Sequence, residues 1–442
     1  MTQMPYDLTS PESILDYARG LSGKTLAEVV DLDGMLENIK NKGDLGNMVE
    51  RYYFRHIPPN NHEPDFAEAK VELKTTGVKK NKNGDFQAKE RLVLTMMNYM
   101  TLVDENWSKS SLMYKCRLML LMFYFYQKDI PVYDRRFVYE PLLWTFPKTD
   151  LSVIESDWKI IQQKIMNGKA HELSEGDTFY LGACRKGSGG IKEALRKQPF
   201  SPIGAKARAF SLKPSYINTI LNSHATESEI LNDEKAIHEG LEYATYKKFD
   251  SYLGMSEQQL STHFNMFKKG KNDKGFYRNL TMRILGEEKR TIPEFEKAGI
   301  ELKTIRLKQN GIPKEDMSFP IFRYLEIVKE EWEESGFFNK IEQRFFFVVF
   351  KYDEKDVLRL YKVMYWNMPY EDREEARKVW EKTKSQIATG MAEFLPKMSE
   401  SRVAHVRPHG KNKADTIPTP HGKMLVKKCF WLNRKYIAEQ IK

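Results

Sequence analysis

A pattern that occurs twice constrains this chain more than any other feature. Residues 65–75 read Asp-Phe-Ala-Glu-Ala-Lys-Val-Glu-Leu-Lys-Thr, and residues 294–304 read Glu-Phe-Glu-Lys-Ala-Gly-Ile-Glu-Leu-Lys-Thr. Each copy has an acid, six further residues, then Glu-Leu-Lys-Thr. More anchors follow in the same order. Residues 107–115 match 332–340, each placing a lysine eight residues after a tryptophan. Trp158 matches Trp380, and residues 209–217 match 429–437. The offset shrinks gradually, as small loop deletions would make it. Two copies are too few for a solenoid, so the chain reads as two related units. A polar stretch that turns helical, near residues 222–240, marks the boundary. The expected domains are 1–225 and 246–442, with a linker at 226–245.

Within the first unit the expected helices are 11–19, 26–38 and 46–54, the last stopped by the Pro/Asn-rich turn at 58–64. Residues 71–74 and 92–102 read as strands. The apolar runs 118–126 (LMLLMFYFY after Arg117) and 345–350 (FFFVVF) are too short to span a membrane and read as buried central strands. The fold class is α/β (α+β): a small mixed sheet flanked by helices, present twice.

On a strand, alternate residues share a face. Glu72 and Lys74 therefore point one way, while Val71 and Leu73 point to the core. A short bend can bring Asp65 beside Glu72. Two close carboxylates repel, and a divalent cation such as Mg²⁺ removes that penalty. Such a metal acidifies water and stabilises charge on a phosphate, while Lys74 orients the water or holds the phosphate. Acid-x-Lys triplets are otherwise common surface features, as at Glu68-Ala69-Lys70, and the duplication selects Glu72-Leu73-Lys74. Glu50 is a third possible carboxylate on the preceding helix, and Lys115 lies just before a buried strand.

The net charge of +10 and pI of about 9.1 suggest an anionic partner, most often nucleic acid. Arg407, His409, Lys411, Lys427, Lys428, Arg434 and Lys435 make a basic tail suited to phosphates. The three cysteines are far apart, without a CxxC pair, which excludes a zinc ribbon and a disulfide framework and fits a reducing cytoplasm. The first residues lack a basic segment followed by an apolar one, so no secretory signal is expected. Residues 185–190 (RKGSGG) look like a phosphate loop but lack its Gly-Lys-Ser/Thr ending, so nucleotide binding is not expected.

Residues 21–26, 65–75, 107–115, 135–144 and 209–213, in that order, resemble the MutH family of GATC-specific endonucleases; two units resemble its Sau-type restriction enzymes. The resemblance implies a restriction-endonuclease-like core and Mg²⁺-dependent cleavage of duplex DNA at GATC. Asp65, Glu72 and Glu50 would be the metal carboxylates, with Lys74 and Lys115 the active-site lysines. Arg185, Lys186, Ser211 and Lys213 fall on the family's DNA-reading segments. Ser211 replaces an aromatic used near the adenine methyl group, which implies cleavage regardless of methylation. The second unit retains Glu301, Lys303 and Lys340, has Glu294 for the first acid, and has Met282 where Glu50 stands. With Arg407 in its basic tail, it would act as an allosteric domain that binds a second DNA site. The chain is expected to be a monomer in solution, with pairing on DNA left open. The alternatives are a repair nickase driven by partner proteins and a catalytically silent DNA-binding regulator.

Overall fold

The computed structural model describes residues 4–32, 44–57, 63–187, 194–222, 230–231, 234–270, 273, 275–286 and 292–442. The apolar run of the first unit forms the strand Met119–Phe125, buried on both faces. It pairs in parallel with Glu72–Lys80, Glu72 opposite Met119 and Val78 opposite Phe125. Phe86–Ala88 and Leu142–Trp144 complete a four-stranded mixed sheet at either edge. The second unit repeats the centre of this arrangement. Glu301–Leu307 lies parallel to Phe345–Tyr352, which pairs antiparallel with Leu358–Trp366. Glu72 faces Met119 in one unit and Glu301 faces Phe345 in the other.

A second sheet accompanies each of these. In the first unit Arg208–Leu212 lies between Leu92–Met96 and Leu181–Arg185; in the second Lys428–Leu432 lies between Met317–Ile321 and Ala404–Pro408. Long helices, Lys148–Met166 and Tyr370–Ala388, bury Trp158 and Trp380 at matching places. The expected duplication and mixed α/β fold are thus present in backbone pairing as well as in sequence.

Three local expectations differ. Residues 26–32 are turns rather than the start of a helix; the rest of that segment, 33–38, lies outside the described residues. The strand beginning at Leu92 ends at Met96, and Tyr99–Leu102 is helical because the Asn98 side chain accepts the Met100 amide at 3.1 Å. The helix over 46–54 is α only at Asp44–Met48 and widens to π at Val49–Tyr53. Of the turn at 58–64, residues 58–62 lie outside the described residues. So do 226–229 and 232–233 of the expected linker, whose later part forms the helix Glu234–Glu239 and opens a second, Leu241–Lys247.

The units are joined by burial. One hydrophobic core contains Phe179, Tyr180 and Tyr216 from the first unit and Phe295, Phe346 and Tyr365 from the second. Phe179 meets Tyr365 edge-on at 5.0 Å between ring centres, and the Arg344 guanidinium lies 4.0 Å from the Phe179 ring. Lys297 reaches across to the buried Asp150 at 2.9 Å.

Candidate active site and DNA interface

Asp65 is placed by a tight reversal. Phe66 and Val71 pair across it, and Lys70 adopts the left-handed conformation at φ 56°. The matching residue of the second unit is Gly299, at φ 64°, the residue type that takes this conformation without steric cost. The reversal returns Asp65 onto the strand it precedes. Its amide donates to Glu72 Oε2 at 3.1 Å, and its Oδ2 accepts the Leu73 amide at 2.9 Å. His56 Nε2 holds the Asp65 carbonyl at 2.7 Å, a support that no motif singles out.

Strand alternation places Lys74 over Glu72, Nζ to Oε1 2.6 Å, while Leu73 packs in the opposite core. Lys115 approaches the same oxygen at 3.4 Å. Its position follows from the Trp…Lys motif: a short 3₁₀ turn, Trp107–Lys109, then the helix Ser111–Cys116 capped by Ser110, whose Oγ accepts the Met113 amide at 3.2 Å. Glu50 comes from the π turn, and Gly46 lets that segment approach the strand closely: a Cβ there would lie 3.2 Å from Thr75 Oγ1. The five expected residues of the first unit therefore converge.

Their electrostatics favour a cation. Burial, then Asp65 and Glu72, push the Glu50 carboxyl up to about 7. Burial also raises Glu72, against the pull of Lys74. Burial opposes the charge on Lys74, but Glu72 holds its ammonium above the usual value. Among the described residues no three His, Cys, Asp or Glu side chains are grouped closely enough, as they stand, to hold a metal ion. Glu72 is drawn to two lysines and Asp65 to a backbone amide. The donor set nonetheless suits a hard divalent ion: Asp65 and Glu72 disfavour the charge on Glu50, which such an ion relieves.

A cleft of about 1220 Å³ runs from Lys74 to Arg185 and Lys186, so catalytic strand and expected reading strand open onto one space. Four acids of the second unit, Glu331, Glu333, Glu334 and Glu381, also line the cleft. Arg185 is bound there, Nη1 to Glu333 Oε1 2.5 Å, with its guanidinium 4.6 Å from the Phe338 ring. Lys206 pairs with the same carboxylate. Neither Lys206 nor Glu333 stood out in the sequence. A signal existed: the repeat aligns Ser108-Lys109 with Glu333-Glu334, a change from neutral and basic to acidic.

Two expected DNA contacts lie elsewhere. Ser211 is buried on its sheet. Lys213 is buried at the seam between units, its ammonium donating to the Thr178 carbonyl at 2.6 Å and the Ala298 carbonyl at 3.4 Å, and burial pushes it down to about 8. It is a clamp between units in this arrangement, not a cleft residue. In the second unit Arg407 pairs with the buried Asp316 at 3.0 Å and lies 3.8 Å over the Trp431 ring.

The second unit's copy of the catalytic cluster is only partly assembled. Glu301 meets Lys303 at 2.7 Å and Lys340 at 3.2 Å. Glu294 is buried, and its Oε1 accepts the Ile230 and Leu231 amides at 2.8 and 3.0 Å. The lysines hold Glu301 below the usual carboxylate range although burial opposes them, the reverse of Glu72.

A family model described as "DNA mismatch repair enzyme MutH" matches residues 54–157 and again 287–378. The type II restriction enzyme Sau3AI of Staphylococcus aureus is 33% identical, over 97% of this chain and 98% of its own length. The chain belongs to the MutH and Sau-type restriction endonuclease family. With the family comes the enzyme class, a DNA endonuclease. The mismatch repair proteins MutH of Shewanella woodyi and Shigella flexneri are 25% and 28% identical. Each covers about half of this chain (49% and 50%) but nearly all of its own length (94% and 97%). Among the described residues no helix is long and apolar enough to cross a membrane, and Cys116, Cys184 and Cys429 are all free and buried.

Proposed function

We propose that this chain is a type II restriction endonuclease of the bacterial cytoplasm that hydrolyses both strands of duplex DNA at GATC, using Mg²⁺. The observation that carries the reading is the single cleft that joins the Asp65–Glu72–Lys74 cluster to Arg185 and Lys186. Asp65, Glu72 and Glu50 would hold the ion. When bound, it lowers the pKa of a coordinated water and offsets charge on the phosphate. Lys74 and Lys115 then stand where an ammonium steers a water or steadies a phosphate oxygen. Arg185 and Lys186 meet the DNA, once Arg185 leaves Glu333.

The second unit binds another DNA segment and favours, through linkage, the state in which the first unit's cleft is open. Support comes from length: the relative named as a restriction enzyme matches both units, whereas the mismatch repair proteins match about half of the chain. That weighs against a nickase driven by partner proteins. The test is to incubate the purified chain with plasmid and Mg²⁺, with and without EDTA, and sequence the ends. Discrete double-strand cuts at GATC, abolished by EDTA, are expected. Strand-limited nicks, cuts at another sequence, or cutting in EDTA reject the proposal.

A further inference from the structure

The second unit keeps the frame of the catalytic pocket but replaces an acidic residue with a neutral one, and a neutral residue with a basic one, at matched positions. In the first unit three carboxylates, Glu50, Asp65 and Glu72, stand with two ammonium groups, Lys74 and Lys115. In the second, a cavity of about 350 Å³ is lined by Arg278, Met282, Glu296, Glu301 and Lys340 among others. Met282 replaces the helix carboxylate. Arg278, one turn earlier, stands where the first unit has Gly46. The acid matching Asp65, Glu294, is committed to the Ile230 and Leu231 amides. Lys303 joins Lys340 at Glu301. At the positions matched to the catalytic cluster three cations now stand with two acids, where three acids stood with two cations; the exposed Glu296, outside that matched set, adds a carboxylate to the cavity lining. A pocket that has lost its helix carboxylate, whose Glu301 is already paired with two lysines and whose lining includes the exposed Arg278, disfavours a divalent cation and favours an oxyanion.

We infer that this former catalytic pocket is a metal-independent phosphodiester clamp, in which Lys303, Lys340 and Arg278 hold a backbone phosphate of the second DNA segment. The inference rests on the reading that the second unit binds DNA, and names the site at which it does so. Glu301 acts in the clamp as a positioning residue: it fixes both ammonium groups at one place before DNA arrives. The chain then carries one divalent-metal centre, not two.

The test uses the full chain in EDTA, with a fluorescent duplex carrying one GATC and Arg185→Ala as background, so that the first unit's cleft contributes little. Lys303→Gln with Lys340→Gln is expected to weaken this binding by roughly tenfold and to reduce the slope of log affinity against log salt by about one. Lys303→Arg with Lys340→Arg, which keeps the charge, is expected to retain it. In parallel, Mn²⁺ titrated without DNA and followed by electron paramagnetic resonance is expected to show one centre. Glu72→Gln removes that centre and Glu301→Gln leaves it. If the background protein binds no duplex in EDTA, the second unit does not bind DNA and both readings fall. If it binds, but the paired glutamines change neither affinity nor salt slope, the clamp alone is overturned. A second Mn²⁺ centre that Glu301→Gln removes also overturns it.

Discussion

At the scale of single residues, the site turns on how much charge one buried place can carry. Glu72 is about 1% exposed and accepts two ammonium groups. Removing its charge takes away a carboxylate that pairs with both Lys74 and Lys115 and would hold the metal, so Glu72→Gln is expected to lower plasmid cleavage by roughly a hundredfold or more, measured at saturating Mg²⁺. Glu50 carries a pH dependence. Its carboxyl is raised from an ordinary value of 4.5 to about 7. Without metal, the folded state keeps this proton when the unfolded chain has lost it. Glu50 therefore adds stability that is full below about 4.5 and lost as pH rises to about 7. Metal binding needs the ionised form, so it runs the other way. Divalent-ion affinity is expected to tighten about tenfold per pH unit up to about 7 and then level. Glu50→Gln should flatten that profile in Mn²⁺ titrations at several pH values. Glu72, Lys74 and Lys115 recur as Glu301, Lys303 and Lys340, and the first acid recurs as Glu294, so these were legible from the repeat; Glu50, matched by Met282, was legible only through the family resemblance. Lys213 was not: nothing in its neighbours says that its ammonium meets a carbonyl of the other unit.

Individual elements show why some segments could be read and others could not. The central strands announced themselves as unbroken apolar runs, and both are buried on both faces. Residues 92–102 read as one strand because apolar spacing alone does not reveal a break. The break comes from a side-chain cap at Asn98. The reversal at Lys70 could have been found by comparing copies, since the aligned residue is Gly299 and both have positive φ. Lys70→Gly is expected to be neutral or to stabilise by up to about 1 kcal/mol in thermal or urea unfolding, whereas Lys70→Val should destabilise. Serine caps deliver a lysine in both units, Ser110 before Lys115 and Ser335 before Lys340. Ser110→Ala is expected to cost about 1 kcal/mol of stability, and to lower cleavage more than Ser108→Ala does, because the capped helix aims Lys115.

For the whole molecule, the duplication was plain in the sequence, but the way the copies fit together was not. A repeat says that two units exist and nothing about which faces they share. Here the second unit supplies one wall of the first unit's cleft and occupies Arg185 and Lys206 with Glu333. A phosphate must compete with that carboxylate. Glu333→Gln is therefore expected to tighten duplex binding and to lessen any advantage of two-site over one-site DNA, measured as initial cleavage rates at equal site concentration. An unchanged ratio would show that the acid merely borders the cleft. The shared core has a further consequence for handling the protein. A clone ending after Leu221 would present the faces of Phe179, Tyr180 and Tyr216 to water. Each half expressed alone is thus expected to precipitate, and the intact polypeptide to melt in one calorimetric peak.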